Sequence, residues 1–99
     1  MKLRDAARGR NCMVRLPGVC NGDPATVVLA HYRLAGLCGV GMKPVDALGA
    51  WTCSRCHDEV DRRTRRLETE YVRLAHAEGV LRTIDSLIRE GYQFKAQGR

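Results

Sequence analysis

The sequence predicts a small α+β domain stapled by a metal ion, and three observations carry that prediction. One is a short β-branched, apolar run, Thr26 to His31 (T-V-V-L-A-H), the pattern of a strand. Another is the stretch from Trp51 to Asp61, W-T-C-S-R-C-H-D-E-V-D, in which a C-x-x-C knuckle is followed directly by a histidine. Two thiolates so spaced can point at one tetrahedral ion. The third is the recurrence of Val60, Leu67, Tyr71, Leu74, Leu81, Ile84 and Ile88 at intervals of three, four or seven, which marks an apolar helical stripe.

Ninety-nine residues make one small domain, and aromatic residues at 5% leave its core thin, so a metal staple or oligomerisation is expected. No apolar run approaches the ~20 residues that cross a bilayer. The opening M-K-L-R-D-A-A-R-G-R has no apolar core of a secretory signal. A cytoplasmic location is therefore expected, where cysteines more often bind metal than form disulfides. Lys and Arg outnumber Asp and Glu by 17 to 11, and only Lys2, Lys43 and Lys95 of the 17 are lysine. Guanidinium forks suit phosphate, which favours a nucleic-acid partner, although small basic proteins without one are common.

Residues 1–10 read as a basic arm, either a short helical turn or a mobile tail, with Arg4, Arg8 and Arg10 as candidate phosphate contacts. In N-C-M-V-R-L-P-G-V-C-N, Cys12 and Cys20 flank an extended run that Pro17-Gly18 turns back on itself, so both sulfurs can face one point. A Cys12–Cys20 disulfide is the alternative. With Cys53 and Cys56 some thirty residues on, a four-thiolate zinc site becomes plausible. His31 closes the strand where an apolar run meets a polar loop, a position suited to general-base work or to a satisfied, half-buried imidazole. Residues 34–50 carry four glycines and a proline and form a long loop, with Cys38 as a buried thiol or an alternative zinc ligand. Ala50-Trp51-Thr52 reads as the second strand.

Residues 58–92 are expected to be helical, in at least two helices broken or ended at Gly79 and Gly91. Asp58, Glu59 and Asp61 then sit in a first turn, where acids complement the helix dipole. If the helix starts near Cys56, His57 and Asp61 share one face at i and i+4 and could hold a hydrolytic metal. Arg62, Arg63, Arg65 and Arg66 follow around the same helix, as nucleic-acid backbone contacts or a solvated face. The stripe on the last helix serves either intramolecular packing or a homodimer seam.

Taken in order, Cys12, Cys20, His31, Cys53, Cys56 and His57 resemble an HNH endonuclease of the ββα-metal, or His-Me finger, class. Within it the chain resembles the YbcO-like nucleases of lambdoid prophages, through A-A-R-G-R-N-C, P-G-V-C-N-G, L-A-H, G-L-C-G and C-S-R-C-H-D-E-V-D-R-R-T. The resemblance implies a zinc-stabilised ββα-metal core over residues 11–61, a helical extension over 62–92 and a frayed tail over 93–99. It implies structural zinc on Cys12, Cys20, Cys53 and Cys56, with His31 as general base. It further implies a catalytic divalent ion (Mg2+, Mn2+ or Zn2+) on His57 and Asp61, and cleavage of DNA. Two departures stand out. Ala30 replaces the acid that many members carry before the base, and the motif's middle asparagine is missing, with Asp46 the nearest polar substitute by position. A non-catalytic zinc module that binds nucleic acid would share the cysteines and the charge but would not need His31 or Asp61. A thiol-redox role for Cys53 and Cys56 lacks the surrounding βαβ pattern.

Overall fold

The computed structural model describes residues 2–37 and 44–95. The expectations for Cys38 and for residues 96–99 fall outside them. The architecture is α+β: helix α1 (Leu3–Ala6), strand β1 (Val28–His31), strand β2 (Gly49–Thr52), helix α2 (Ser54–Val60) and helix α3 (Thr69–Arg89). Single 3-10 turns precede each strand, at Pro24–Thr26 and Asp46–Leu48. The Asp23 side chain accepts the Ala25 N–H, which starts the first of these turns and leaves only Val28–His31 as strand.

β1 and β2 pair antiparallel, with His31 opposite Gly49 and Val28 opposite Thr52. Every residue of β2 is buried. Among the described residues no third strand lies on its far edge, yet the backbone of Trp51 is satisfied there: the Met13 N–H donates to the Trp51 carbonyl at 2.7 Å, and the Trp51 N–H donates to the Thr83 hydroxyl at 3.0 Å. That hydroxyl in turn donates to the Gly79 carbonyl at 2.8 Å. One loop residue and one helix side chain thus complete the sheet edge, as buried backbone requires.

The basic arm is a helical turn whose Leu3, Ala6 and Ala7 join the core. Arg10 is not a free phosphate contact, because its guanidinium pairs with Glu90 and lies 4.7 Å from the centroid of the Trp51 ring. The segment after Cys12 is not extended. It bends, with Arg15 at φ 55.

The expected helical stretch needs correction at several points. α2 begins at Ser54, so Asp58 and Glu59 lie beyond its first turn, and Asp61 is its C-cap. Residues 61–68 are not helical, and Arg62 has φ 61. Helix α3 then runs 21 residues without a break at Gly79, and it ends where Gly91, at φ 89, lets the Tyr92 N–H reach back to the Leu87 carbonyl at 2.9 Å. The predicted stripe is split: Val60, Leu67 and Ile84 pack against the core, and the rest of it faces outward. Tyr71, Leu74, Leu81 and Ile88 are exposed, whereas α3 buries Val72, His76, Gly79, Val80, Thr83 and Leu87. No helix among the described residues is long and apolar enough to cross a membrane.

Gly79 sits where α3 crosses the Met13–Val14 bend. A Cβ there would lie 2.9 Å from Val14 Cγ2 and 3.2 Å from the Met13 carbonyl oxygen. Alanine gains ~1 kcal/mol of helix propensity, but overpacking a buried contact costs about 1–3 kcal/mol. Gly79→Ala is therefore expected to destabilise by about 1 kcal/mol in urea unfolding. A stabilised variant would mean that the crossing is loose.

His76 is buried, bonds the Ala30 carbonyl through Nε2 at 2.9 Å and packs against the Tyr32 ring at 5.0 Å. Burial lowers its pKa, reinforced by His57 and Arg73 and opposed by the Ala30 bond and Asp61. A base whose folded pKa is depressed adds stability that is full above the unfolded value, about 6.5, and lost as pH falls below it. The stability advantage of the wild type over His76→Phe should accordingly shrink between pH 8 and pH 5 in denaturant melts. A pH-independent difference would show that His76 does not titrate on unfolding.

Candidate metal centre and catalytic cleft

Two loops meet at the start of α2. The turn around Pro17-Gly18 brings Cys20 back beside Cys12, and β2 delivers Cys53 as the N-cap of α2, its sulfur accepting the Cys56 N–H at 3.4 Å. The four ligand sulfurs all lie within 4.8 Å of one another, and Cys20 and Cys53 Sγ are 3.8 Å apart. A tetrahedral ion with metal–sulfur bonds of about 2.3 Å has sulfur–sulfur edges of about 3.8 Å, so the four cysteines can hold a metal ion such as zinc. All four, Cys12 and Cys20 included, are free thiols. The sequence alternative of a Cys12–Cys20 bridge is thereby set aside.

Electrostatics agree with a cation-binding role. The S–H of Cys56 pulls the Cys12 thiol down, helped by the backbone N–H groups of Arg15, Cys53 and Val14 and opposed by burial. That shared proton pushes Cys56 up, reinforced by burial. Burial, then the neighbouring thiols, raises Cys20 to about 11. Four sulfurs at this spacing repel as thiolates, and a divalent ion removes that penalty by displacing the protons.

The second cluster lies at the other end of β1. His31 Nε2 is 2.7 Å from Asp46 Oδ1, and its side chain is only 8% exposed. Asp46 comes from the 3-10 turn that leads into β2, and Arg4 also approaches its carboxylate at 3.7 Å. With Nε2–H donated to Asp46, the Nδ1 lone pair remains available as an acceptor. On α2, His57 Nε2 and Asp61 Oδ2 are 3.1 Å apart and partly exposed. One imidazole nitrogen and one carboxylate, open to solvent, fit a divalent ion that keeps several waters. Among the described residues, only the four cysteines form a convergent group of three or more ligands.

A cleft of about 100 Å³ takes one residue from each pair, His31 and Asp61, and is further lined by Tyr32, Arg33, Val60, Val72, Arg73 and His76; Asp46 and His57 lie outside its lining. His76 and Arg73 were not foreseen. A histidine in a helix carries no motif, and its role emerges only once α3 is seen to turn that face inward. Arg73 lies over Tyr32, 5.2 Å from the ring centroid.

Glu59, fully buried, was expected to be a dipole partner. Its carboxylate instead accepts from the Thr64 hydroxyl at 2.6 Å, the Arg66 N–H at 2.8 Å and the Leu67 N–H at 2.7 Å, and these bonds hold its pKa below the ordinary range. The four arginines therefore decorate a loop rather than a helix. Arg62 turns inward to the Leu67 carbonyl and Glu59, and Arg63 pairs with Asp58 and Asp61. Arg65 and Arg66 are exposed.

The comparisons with known proteins agree on one family. The sequence profile of the family described as "Putative nuclease YbcO" matches residues 1–92. Proteins named "Putative nuclease YbcO" from Escherichia coli (strain K12) and from Enterobacteria phage 82 are each 55% identical over 89 residues, covering 90% of this chain and 93% of theirs. A solved structure, titled as a putative bacteriophage protein from Escherichia coli str. K-12 substr. MG1655, is similar with a TM-score of 0.77 and 48% identity, over 89% of this chain and 98% of that one. The chain belongs to the YbcO putative nuclease family.

Proposed function

We propose that this protein is a metal-dependent endonuclease of the HNH, ββα-metal class that hydrolyses phosphodiester bonds in DNA. The observation that supports it most is the His31–Asp46 contact at 2.7 Å. Asp46 fills the place of the motif's missing asparagine by holding the base histidine through Nε2, so that Nδ1 can take a proton from water. The water oxygen then bonds to phosphorus as the bond to the leaving oxygen breaks. A divalent cation held by His57 and Asp61 would supply stabilisation of the charge that builds on the phosphate and the leaving oxygen.

The other residues bind and position. His76 anchors the Ala30 carbonyl, one residue before the base, which stiffens the end of β1. Ala30 is buried and supplies no ligand of its own. Arg65 and Arg66 are the arginines free to meet a phosphate backbone, and Arg73 lines the cleft itself. Zinc on the four cysteines would fix β2 and α2 relative to the loop that carries Cys12 and Cys20.

The test is cleavage of plasmid and branched DNA with magnesium or manganese, on proteins matched for zinc content and folding. His31→Ala should lose roughly 10²–10⁴-fold in rate, and Asp46→Ala about 10–100-fold with binding retained. Cutting by His31→Ala at the wild-type rate would overturn the assignment. Binding without cutting by any variant, wild type included, would favour a non-catalytic zinc module. Changing Arg65 and Arg66 together to Ala should lower the slope of log affinity against log salt by about 1–2. The same change at Arg62 should lower stability instead, because that side chain faces Glu59. An unaltered salt slope would remove Arg65 and Arg66 from the interface.

A further inference from the structure

Helix α3 has two apolar faces, and only one is used by the fold. The inner face packs on β2 and the Met13–Val14 bend. On the opposite side, Leu74, Leu81 and Ile88 recur every seven residues and are 59%, 66% and 58% exposed. Ala77 lies between them, three residues after Leu74, and Ile84, which packs against the core, borders the stripe. This is an a/d heptad pattern over a helix about 31 Å long. With Tyr71 it opens roughly 400–500 Å² of apolar side chain, within the ~300–600 Å² of the largest patch on an ordinary monomer, a patch that is often functional.

We infer that this face is the interface of a homodimer, with α3 of one copy packed on α3 of a second copy about a two-fold axis near Leu81. Three observations select a second copy over other occupants. Of the acids beside the stripe, Asp85 pairs with Arg89 at 2.9 Å and Glu78 with Arg82 at 3.8 Å, and exposed Glu70 adds a negative charge. The face therefore offers no excess positive charge to a nucleic acid or an anionic membrane surface. The large side chains are spaced evenly about Leu81, so the patch can meet itself, as an isologous interface demands. Small Ala77 beside large, exposed Leu74 and Leu81 provides the hollow and the knob that close packing of identical helices needs. Covered on both copies, the stripe buries on the order of 1,000 Å² before its polar rims are counted, close to the ~1,200 Å² of a specific interface.

Sedimentation equilibrium of the full, zinc-loaded chain tests this at micromolar concentrations. The wild type should run at twice the 11.1 kDa of one chain. Leu81→Glu, at the centre of the stripe, and Leu74→Glu should each weaken association at least tenfold while far-UV circular dichroism and zinc content stay unchanged. Leu34→Glu, an exposed apolar side chain outside the stripe, should leave the dimer intact. A wild type that remains monomeric throughout, or a Leu81→Glu protein that associates as tightly as wild type, would overturn the proposal.

Discussion

The convergence of four sulfurs from two distant loops is the constraint on which the rest of this structure depends. The sheet has only two strands of four residues each, and α2 has only seven. None of these elements would persist alone, since an isolated hairpin is marginal and a helix under about 12 residues is unstable in water. The cysteines tie the end of β2 and the first turn of α2 to the bend that completes the sheet edge through Met13. Helix α3 closes the same edge through Thr83. A small core thereby becomes a rigid frame.

That frame positions the cleft. His31 leaves β1 on one side, Val60 and Asp61 at the end of α2 stand on the other, and α3 forms the floor with Val72 and His76. Two buried polar contacts set the finer geometry. The His76–Ala30 bond holds the strand end that presents His31, and Glu59 folds the arginine loop by collecting its N–H groups. Each links a residue with no direct chemical task to one that has a task. A loop ordered by a single buried carboxylate can display Arg65 and Arg66 outward while Arg62 is spent on the fold.

Much of this was legible in the sequence where chemistry is local. The C-x-x-C-H knuckle and the strand ending at His31 are short-range patterns, and the structure brings the sulfurs of Cys53 and Cys56 together with those of Cys12 and Cys20. What sequence reasoning misplaced was side and boundary. The visible stripe of Leu74, Leu81 and Ile88 points to solvent, because α3 packs inward through Val72, Val80 and Leu87 together with Gly79, Thr83 and His76, and hydropathy does not mark the last three as core. The arginine run looked helical because no periodic signal reveals that Glu59 is buried and captures the N–H groups of Arg66 and Leu67. Asp46 could be nominated only by its position between His31 and Cys53, since its contact depends on the path of the chain between the strands.

The measurement that bears most directly on this account is titration of the reduced, metal-free chain with cobalt(II), followed by absorption and by the unfolding transition of the same samples. One cobalt per chain, with the intense thiolate charge-transfer and visible bands of a tetrahedral four-sulfur site, should appear together with a cooperative transition that metal-free protein lacks. A metal-free chain that melts cooperatively at the same midpoint, or a spectrum without tetrahedral thiolate bands, would contradict the view that the four cysteines hold the fold together.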